Sequence, residues 1–536
     1  MMIDDVQNAV RSAINSKYSI DDISLVITYP EPKFGDFSTN AAFLLAKRLN
    51  QPPGEVATEL AAAIAADTGN TIAEAEAVNG FINMRMDNHF WVGQLLSITS
   101  EFGSSQLGKG RRVEVEFISA NPTGPTTIGN ARGGYIGDTL ANVLAHSGYA
   151  VTREYYFNNA GTQIAKLLES VKVAAGLIRA EAVQYKGEYI HELASDFKAE
   201  LAAKSDDELK ELITQAILER WIRPAIDKMG IHFDSWFNER DLVEGGQLEE
   251  TIGQLRKQNL VYDHEGALWL DTAKLGLSRE ARVLIKSTGD PTYLAPDIAF
   301  HDDLFGRRSF DSAIKILGAD HVDQFPSVKA AVAILHPNRQ LEVVVAQWFR
   351  LLKAGKEVKI SKRLGQFVTI EELIDEVGTD VARFMTLMRS ADTGMDFDLS
   401  LAKEQSQKNP LFYVMYSYAR ANSILDQASE RGLTPISTVE RLSEYEVALV
   451  RHMSKFPRLV ADIAHSYEVH HLTFFGMQAA KLFHDLYESE RIIDLDKTEA
   501  CRRLYVIKQY IVFMEAYSKV LGITPVKRME RDTETA

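Results

Sequence analysis

Residues 113–148 read VEVEFISANPTGPTTIGNARGGYIGDTLANVLAHSG, and the rest of the chain is organised around them. Apolar residues at positions 113, 115 and 117 alternate with Glu114 and Glu116, which is the period of a half-buried strand. Proline and glycine end this strand before Pro125. A helical pattern then begins near Ile128. The stretch therefore predicts a strand, a glycine-bearing turn and a helix.

This strand–turn–helix unit has the form of a nucleotide site. Backbone N–H groups and the helix dipole at such a turn point at phosphate. Gly129 has no side chain, so an adenine can lie against bare backbone there. The alternative is an ordinary corner of an α/β sheet, and this stretch alone does not decide between the two.

Length and composition set the class of protein. A chain of 536 residues is too long for one core, and about three or four domains are expected. No apolar run approaches the roughly 20 residues that span a bilayer. The N-terminus is acidic and polar, unlike a secretory signal, and Cys501 is the only cysteine. We therefore expect a cytoplasmic protein without disulfides, and the net charge of −15 argues against a general nucleic-acid coat protein.

The N-terminal region is predicted to be a small α/β unit, with helices at 4–16, 39–49 and 54–66 and a short strand at 80–86. The loop before the second helix reads PEPKFGDFSTN and contains two aromatic residues, Phe34 and Phe37. Aromatic rings on a loop can stack on a nucleic-acid base. They can equally fill the core of their own domain.

The remainder alternates between sheet and helix. Residues 164–227 are strongly helical and predict an insertion within the α/β domain. Continuous apolar runs then predict strands of a parallel sheet, buried on both faces, at 267–271, 282–286, 313–317 and 342–346. After the basic loop 355–369, helical patterns occupy 371–377, 380–389, 400–427, 440–465, 467–490 and 496–521.

Two distant motifs resemble the signature sequences of class I aminoacyl-tRNA synthetases. They are PTTIGN at 125–130, after the opening strand, and KISKR at 359–363, after the final strand. Other segments are similar to arginyl-tRNA synthetases: EFISANPTGP, VTREYYFNNAGTQ, TYLAPDIAFH, GADH and the N-terminal FGDFSTNAAFLLAK. The resemblance covers nearly the whole chain.

The resemblance implies a fold of class α/β with three parts. Residues 1–102 correspond to the additional N-terminal tRNA-binding domain of the family. Residues 111–390 correspond to a Rossmann-type parallel-sheet catalytic domain, with a helical insertion at about 164–265 and the signature loop at 359–363. Residues 400–536 correspond to an all-α anticodon-binding bundle.

The activity implied is that of an arginine–tRNA ligase, with ATP as a substrate that arrives with Mg²⁺. No covalent enzyme intermediate is needed, so the protein positions its substrates and stabilises charge. The resemblance assigns catalysis to Thr127, Asn130, Lys359, Ser361 and Lys362. It assigns ATP binding to Gly124, Thr127, Gly129, Asn130, Lys359, Lys362 and Arg363, and the basic loop can also be read as an ordinary solvated loop.

The arginine pocket is implied in the same way. Glu116 and Asn121 correspond to residues that bind the amino and carboxylate end, whereas Tyr293 and Asp297 correspond to those that hold the guanidinium. Asp320 and His321 of GADH correspond to residues that line the site. Asp297 follows Pro296, so it can also be a simple charge at a helix N-terminus. Glu116 can be an exposed strand residue.

The partners implied are L-arginine and arginine tRNA, without DNA or a membrane, and we expect a monomer. The predicted tRNA contacts are Phe34, Phe37, Asn40, Tyr413, Tyr416 and Arg420. No protein metal site is expected: His470 and His471 are adjacent within a helical pattern, where neighbours do not face each other.

The sequence departs from the family at two places. The family has histidines where this chain has Thr127 and Asn130, and neither of these can become a cation. Residues also follow Met529, where the family usually ends. A non-charging paralogue that binds tRNA or arginine as a regulator is therefore the competing hypothesis, although the retained cationic loop favours the enzyme.

Overall fold

The structure is a computed structural model that describes residues 2–66, 71–159, 161–278, 280–319, 322–353, 355–357 and 369–529. It confirms the predicted fold class. A parallel β-sheet with flanking helices lies at the centre of the chain, preceded by a small α/β unit and followed by a helical bundle.

The N-terminal unit is a four-stranded antiparallel sheet with helices packed on it, in the strand order β1-β2-β4-β3. Its elements are α1 (Met2–Tyr18), β1 (Ile27–Thr28), β2 (Phe37–Thr39), α2 (Ala41–Leu49), α3 (Pro53–Ala66), β3 (Ile72–Val78), β4 (Phe81–Met86) and α4 (Asn88–Leu96). The predicted helices and the strand at 80–86 are confirmed. The other strands are too short or too polar to have given a clear pattern.

The next part of the chain begins with the predicted strand, turn and helix. Its elements are β5 (Arg112–Glu116), α5 (Ile128–His146), β6 (Ala150–Phe157), α6 (Gly161–Ala174), α7 (Glu188–Asp196), α8 (Lys198–Ala203), α9 (Asp206–Ile217), α10 (Arg223–Lys228), β7 (Ser235–Asn238), α11 (Glu239–Glu244), α12 (Gln247–Lys257), β8 (Val261–His264), β9 (Ala267–Leu270) and β10 (Arg282–Ile285). Helices α6 to α10 confirm the helical insertion.

Two expectations about this part are wrong. β7 lies within the predicted insertion but pairs in parallel with β6, so the chain returns to the central sheet there. The runs at 267–271 and 282–286 are not strands of that sheet. They form a separate antiparallel sheet with β8, because Glu265 and Gly266 both have positive φ and make a two-residue hairpin.

The chain then completes the sheet and enters the helical region. Its elements are α13 (Leu294–Phe305), β11 (Ser312–Gly318), α14 (Phe325–Leu335), β12 (Gln340–Ala346), β13 (Phe349–Lys353), β14 (Lys356–Glu357), α15 (Ile370–Val377), α16 (Thr379–Leu387), β15 (Met395–Asp398) and α17 (Leu399–Ala402). The predicted strands at 313–317 and 342–346 are confirmed as β11 and β12.

The central sheet has the order β12-β11-β5-β6-β7, and all its strands are parallel. From β5 the chain moves to one side, through β6 and β7, and later returns to add β11 and β12 on the other side. Ligands bind at such a switch point, outside the carboxyl ends of the strands. The carboxyl ends of β5 and β11 therefore mark where a site is expected.

The C-terminal bundle consists of α18 (Pro410–Glu430), α19 (Glu444–Met453), α20 (Phe456–Ser466), α21 (His471–Ser489) and α22 (Lys497–Leu521). Two predicted helices are interrupted. The run 400–427 breaks before Pro410, whose neighbour Asn409 caps the new helix, and the run 440–465 breaks before α20, which has Pro457 in its first turn.

The bundle is joined to the central domain through buried polar contacts. Arg383 on α16, a helix of the central domain, donates to the Leu521 carbonyl at the end of α22 at 3.5 Å and to Asp138 Oδ2 on α5 at 2.6 Å. The Thr139 hydroxyl, also on α5, donates to the Leu521 carbonyl at the end of α22 at 3.2 Å. The helix that follows the signature turn is thus held at its far side by the last helix of the bundle.

Candidate active site

The chain turns sharply at the carboxyl end of β5. Ile118 and Ser119 have positive φ angles of 67° and 36°, and the Ser119 amide donates to the Phe117 carbonyl at 2.9 Å. A positive φ is strained for a β-branched residue such as Ile118. The Tyr156 amide on β6 donates to Ser119 Oγ at 3.1 Å, so the turn is fixed to the neighbouring strand.

The two altered signature residues lie together at the start of α5. Thr127 is the N-cap residue, but its side chain makes no cap hydrogen bond. Its hydroxyl instead donates to Asn130 Oδ1 at 3.2 Å. The first backbone N–H groups of α5 are therefore left without a side-chain cap from Thr127. Such donors, with the positive end of the helix dipole, favour an anion such as phosphate.

The two glycines of the turn have different surroundings. Gly129 is exposed, and a Cβ there would meet only Thr127 Oγ1, at 3.6 Å. Its backbone is therefore accessible, and the prediction that adenine lies against it stays a prediction. Gly124 is buried with φ +149°, and a Cβ there would come within 2.9 Å of the Tyr189 ring on α7. The positive φ and the packing against Tyr189 are sufficient reasons for a glycine at position 124, and the prediction that Gly124 binds ATP stays a prediction.

The residues predicted to act in the second signature loop lie outside the described part of the chain: Lys359, Ser361, Lys362 and Arg363. The described chain resumes at Thr369, which forms an isolated β-bridge with Thr127. The Ile370 amide donates to the Thr126 carbonyl at 3.2 Å. The described chain that follows the second signature sequence is thus joined to the first one beside the N-terminus of α5.

Glu116 and Asp297 lie on either side of one buried ammonium. Glu116 is 2% exposed, so it is not an exposed strand residue. Lys315 on β11 is its partner on the adjacent strand, and Lys315 Nζ lies 3.1 Å from Glu116 Oε2. The same Nζ lies 3.5 Å from Asp297 Oδ1 on α13. The structure therefore brings together two residues that were predicted to bind arginine.

Asp297 does more than place a charge in the first turn of α13. Gln324 Nε2 donates to Asp297 Oδ2 at 2.6 Å, while Oδ1 faces Lys315. Tyr293, four residues earlier, is 50% exposed. Residues four apart lie on one face of a helix, so Tyr293 and Asp297 lie on the same face at the start of α13.

The remaining predicted arginine contacts are less defined. Asn121 lies in the turn after β5, and its Nδ2 donates to Gln163 Oε1 on α6 at 2.9 Å. This bond links the turn to the helical insertion. Asp320 and His321 lie outside the described residues.

Burial and charge act in opposite directions on the groups around Lys315. Burial alone lowers the pKa of Lys315, but Asp297 and Glu116 outweigh it and raise that pKa. Burial also raises the pKa of Glu116, against the lowering effect of Lys315. The pKa of Glu114 is raised well above its usual value by burial and by Glu154. Lys315 is thus held as an ammonium.

Other acidic groups on this face of the sheet have partners of their own. Arg308 donates two hydrogen bonds to Glu154, each of 2.8 Å. The Tyr156 hydroxyl donates to Glu239 Oε2 at 2.9 Å. Burial raises the pKa of Glu239 to about 7. Lys315 is therefore the cation that pairs with Glu116 and Asp297.

No role was predicted for Lys315, Gln324 or Arg132 from the sequence. A lysine inside the apolar run AIKIL was a signal of a buried charge, but its partners lie far away in the chain. Arg132, on α5, is buried and donates to four carbonyls, those of Gln347, Trp348, Ser390 and Thr393. It fixes α5 to the chain that enters β13.

The predicted tRNA contacts of the N-terminal unit divide into two kinds. Phe34 is 41% exposed, and Lys33 Nζ lies 4.8 Å from its ring centroid. Phe37 is fully buried and packs against Phe90, with a centroid distance of 6.2 Å. The prediction that Phe37 stacks on RNA is wrong, because β2 is an interior strand of its sheet and places the ring in the core.

Two further observations concern this surface. Asn40 is the N-cap residue of α2 without a side-chain cap bond, and its Oδ1 is buried without a hydrogen bond among the described residues. Phe43 and Phe81 are 41% and 46% exposed, with ring centroids 5.2 Å apart. The sequence did not single out this exposed aromatic pair.

The predicted contacts of the bundle form one cluster on α18 and α21. The rings of Tyr413 and Tyr416 pack on His484, with centroids 5.0 and 5.8 Å apart. The Arg420 guanidinium lies 5.3 Å from the Tyr416 ring and 5.0 Å from the Tyr487 ring. Aromatic rings beside a cation are suited to single-stranded nucleic acid.

Among the described residues, one group has the spacing of metal ligands. Ligand atoms of Glu468, His470 and His471 lie within 4.8 Å of one another. The two histidines are not neighbours within a helix as expected, because His470 is the N-cap residue of α21. The positive end of the helix dipole there disfavours a cation. The absence of a protein metal site stays a prediction.

Models of known families match three parts of the chain. The arginyl-tRNA synthetase N-terminal domain matches residues 4–86. The catalytic domain of class I tRNA synthetases (R) matches residues 92–393. The DALR anticodon-binding domain matches residues 414–529. Within the described ranges, no helix is both long and apolar enough to cross a membrane.

Individual proteins match over almost the whole length. The arginine–tRNA ligase of Desulfotalea psychrophila is 40% identical over 514 residues, covering 92% of this chain and 93% of that protein. The arginine–tRNA ligase of Carboxydothermus hydrogenoformans is 35% identical over 544 residues, covering 97% of each. The Thermus thermophilus arginyl-tRNA synthetase structure shares the fold, with a TM-score of 0.77 at 20% identity over 99% of this chain and 100% of that one. The chain therefore belongs to the arginyl-tRNA synthetase family.

Proposed function

We propose that this chain is an arginine–tRNA ligase, which uses ATP to activate L-arginine and transfers the arginyl group to the 3′ end of arginine tRNA. The pair of carboxylates Glu116 and Asp297 is the observation that supports this most directly. They lie at the same edge of the sheet as the N-terminus of α5, so a guanidinium site and a phosphate site adjoin each other.

The arginine pocket follows from these contacts. A guanidinium presents a planar fork of donors that carboxylates accept. Because Glu116 and Asp297 share one ammonium, we assign both to the guanidinium end of the substrate, a change from the amino-end role first expected for Glu116. Tyr293 flanks the guanidinium, and Asn121 is assigned to the amino and carboxylate end. Asp320 and His321 complete the lining.

ATP is assigned to the start of α5. Adenine lies over Gly129, while the helix N-terminus, the Thr127 hydroxyl and the Asn130 amide contact phosphate. Lys359, Ser361, Lys362 and Arg363 close over the triphosphate, and lysine suits this because it is a point charge on a flexible stem. Mg²⁺ enters with ATP, held mostly by phosphate oxygens.

The reaction needs no covalent bond to the protein. A carboxylate oxygen of arginine attacks the α-phosphorus of ATP, and diphosphate leaves. A hydroxyl of the terminal tRNA adenosine then attacks the activated carbonyl, and AMP leaves. The protein aligns these atoms and stabilises the charge that develops on phosphate.

The tRNA is assigned to the two outer domains, 1–102 and 400–536, on either side of the catalytic domain 111–390. Phe34 and Asn40 offer contacts in the first, and the cluster of Tyr413, Tyr416 and Arg420 offers contacts in the second. We place the protein in the cytoplasm as a monomer.

Amino-acid selectivity tests this function. Labelled diphosphate should enter ATP when arginine and tRNA are both present, because family members generally activate arginine only with tRNA bound. The other standard amino acids should give background incorporation. Exchange driven equally by lysine or citrulline would contradict an arginine-specific enzyme.

Arg420→Ala is expected to weaken tRNA binding by the full chain. Loss of a cation stacked on two rings should lower affinity about tenfold, and the slope of affinity against salt should fall by about one unit. Filter binding at several salt concentrations measures both. Arg431→Ala is the matched control, because Arg431 lies just beyond the same helix and pairs with Asp494. Equal losses of tRNA affinity in the two variants would mean that Arg420 contributes only its charge and no specific contact.

A further inference from the structure

Lys315 is a buried cation inside a pocket that is proposed to bind a cation. Its side chain is 8% exposed, and its ammonium contacts the two carboxylates assigned to the substrate guanidinium. Glu116 Oε2 is buried and accepts no hydrogen bond of good geometry among the described residues, although Lys315 Nζ lies 3.1 Å away. This carboxylate thus retains capacity for another donor, as a ligand site requires.

The charges of the pocket fit one more cation. Two carboxylates and one ammonium leave a net charge of −1 at Glu116, Asp297 and Lys315. Glu154 is neutralised by Arg308. Without Lys315, the buried Glu116 carboxylate and the largely covered Asp297 carboxylate would face each other with no cation between them, and one would take up a proton.

We propose that Lys315 is a positioning residue for arginine: its ammonium holds Glu116 and Asp297 as two charged carboxylates that meet the substrate guanidinium together. This inference rests on the proposed function of the same pocket. Gln324 completes the arrangement, because its amide fixes the second oxygen of Asp297 at 2.6 Å. Arginine then binds to a site that is already charged, and no proton has to leave.

The groups around the ammonium decide where pH dependence can arise. Charged or titratable side chains face it from β5, β6, α11 and α13: Glu114, Glu116, Tyr156, Glu239, Asp297 and His301, with the Glu154–Arg308 pair beyond them. Burial lowers the pKa of His301 to about 3, so His301 stays neutral. Glu239, with a pKa of about 7, titrates near neutrality in its own right.

The test compares Lys315→Met with its parent in a Glu239→Gln background, where residue 239 cannot titrate. Calorimetry gives the arginine Kd between pH ~6.5 and ~8.5 without need of catalysis. The arginine Kd of the parent should vary by no more than about twofold across this pH range. Lys315→Met should lose up to about tenfold in affinity for each unit that the pH falls, because one carboxylate must release a proton before arginine binds. Lys315→Arg should restore the flat profile.

A flat profile in folded Lys315→Met would overturn the inference, while leaving arginine binding intact. If the parent itself binds no arginine, the proposed function fails as well as the inference. Failure of the inference alone and failure of the proposed function therefore give different results. If Lys315→Met does not fold, the parent alone provides the test. Calorimetry of arginine binding in two buffers of different ionisation enthalpy gives the number of protons that the parent exchanges on binding. Near-zero exchange at pH ~7.5 supports a precharged pocket, whereas release of about one proton contradicts it.

Discussion

Asp297→Asn is expected to raise the KM for arginine by about 150- to 5,000-fold. Removing one partner of a buried ion pair costs about 3–5 kcal/mol, because the other charge is left buried without compensation. In this chain two cations each lose one of their two carboxylate partners: the substrate guanidinium, and Lys315, which lies 3.5 Å from Asp297 Oδ1. The KM for ATP should change little. Steady-state charging kinetics measure both constants.

Asp303→Asn is the matched control for that variant. Asp303 lies on the same helix, is buried, and pairs with Arg307 at 2.6 Å, but it is not part of the pocket. It should leave the KM for arginine unchanged within about twofold. An arginine KM for Asp297→Asn within about threefold of the parent, roughly 0.7 kcal/mol, would mean that Asp297 is only a helix-end charge.

Thr127→Ala is expected to lower kcat by about 10²–10³, while the KM for ATP changes less than about threefold. A donor that stabilises the transition state is typically worth about 2.7–4 kcal/mol, and its loss appears in kcat and not in ground-state binding. Here the hydroxyl also holds Asn130 Oδ1 at 3.2 Å, so its removal releases the Asn130 amide. Single-turnover rates of arginine activation measure the effect.

Thr127→Ser keeps the hydroxyl and should retain most of the activity. Stability should hardly differ among these variants, because the Thr127 side chain makes no cap hydrogen bond. Neither residue of the pair can titrate near pH ~6.5, so loss of activity in acid should not change in Thr127→Ala. A kcat unchanged by Thr127→Ala would contradict the assignment of phosphate to this end of α5.

Local patterns predicted those elements whose partners are close in the sequence. The strand that ends at Glu116, the turn and the helix from Ile128 were all predicted, because alternation, breakers and helical period agree there. The short strand Ser235–Asn238 was missed because it gives no such pattern. The hairpin turn at Glu265 and Gly266 carried a signal that was not used, and its strands were assigned to the wrong sheet.

The site was predictable only in part, because its chemistry depends on pairing across the sheet. Alternation in β5 is typical of a half-buried strand and left open an exposed Glu116, but helices cover both faces of a parallel sheet, so Glu114 and Glu116 are both buried. The contact of Lys315 with Glu116 depends on the register of β11 and β5, which places the two residues side by side. Phe34 and Phe37 look alike in sequence, and only their place relative to the sheet separates the exposed ring from the buried one.

Arginine charging of tRNA tests the central claim most directly. The purified chain, ATP, Mg²⁺, labelled arginine and total tRNA should give labelled tRNA that is destroyed by mild base, with AMP and diphosphate formed in equal amounts. Thr127→Ala should give far less product in the same time, and a Thr127→His/Asn130→His double variant shows whether the altered signature limits the rate. No labelled tRNA with the natural chain, together with charging by the double variant alone, would contradict the account.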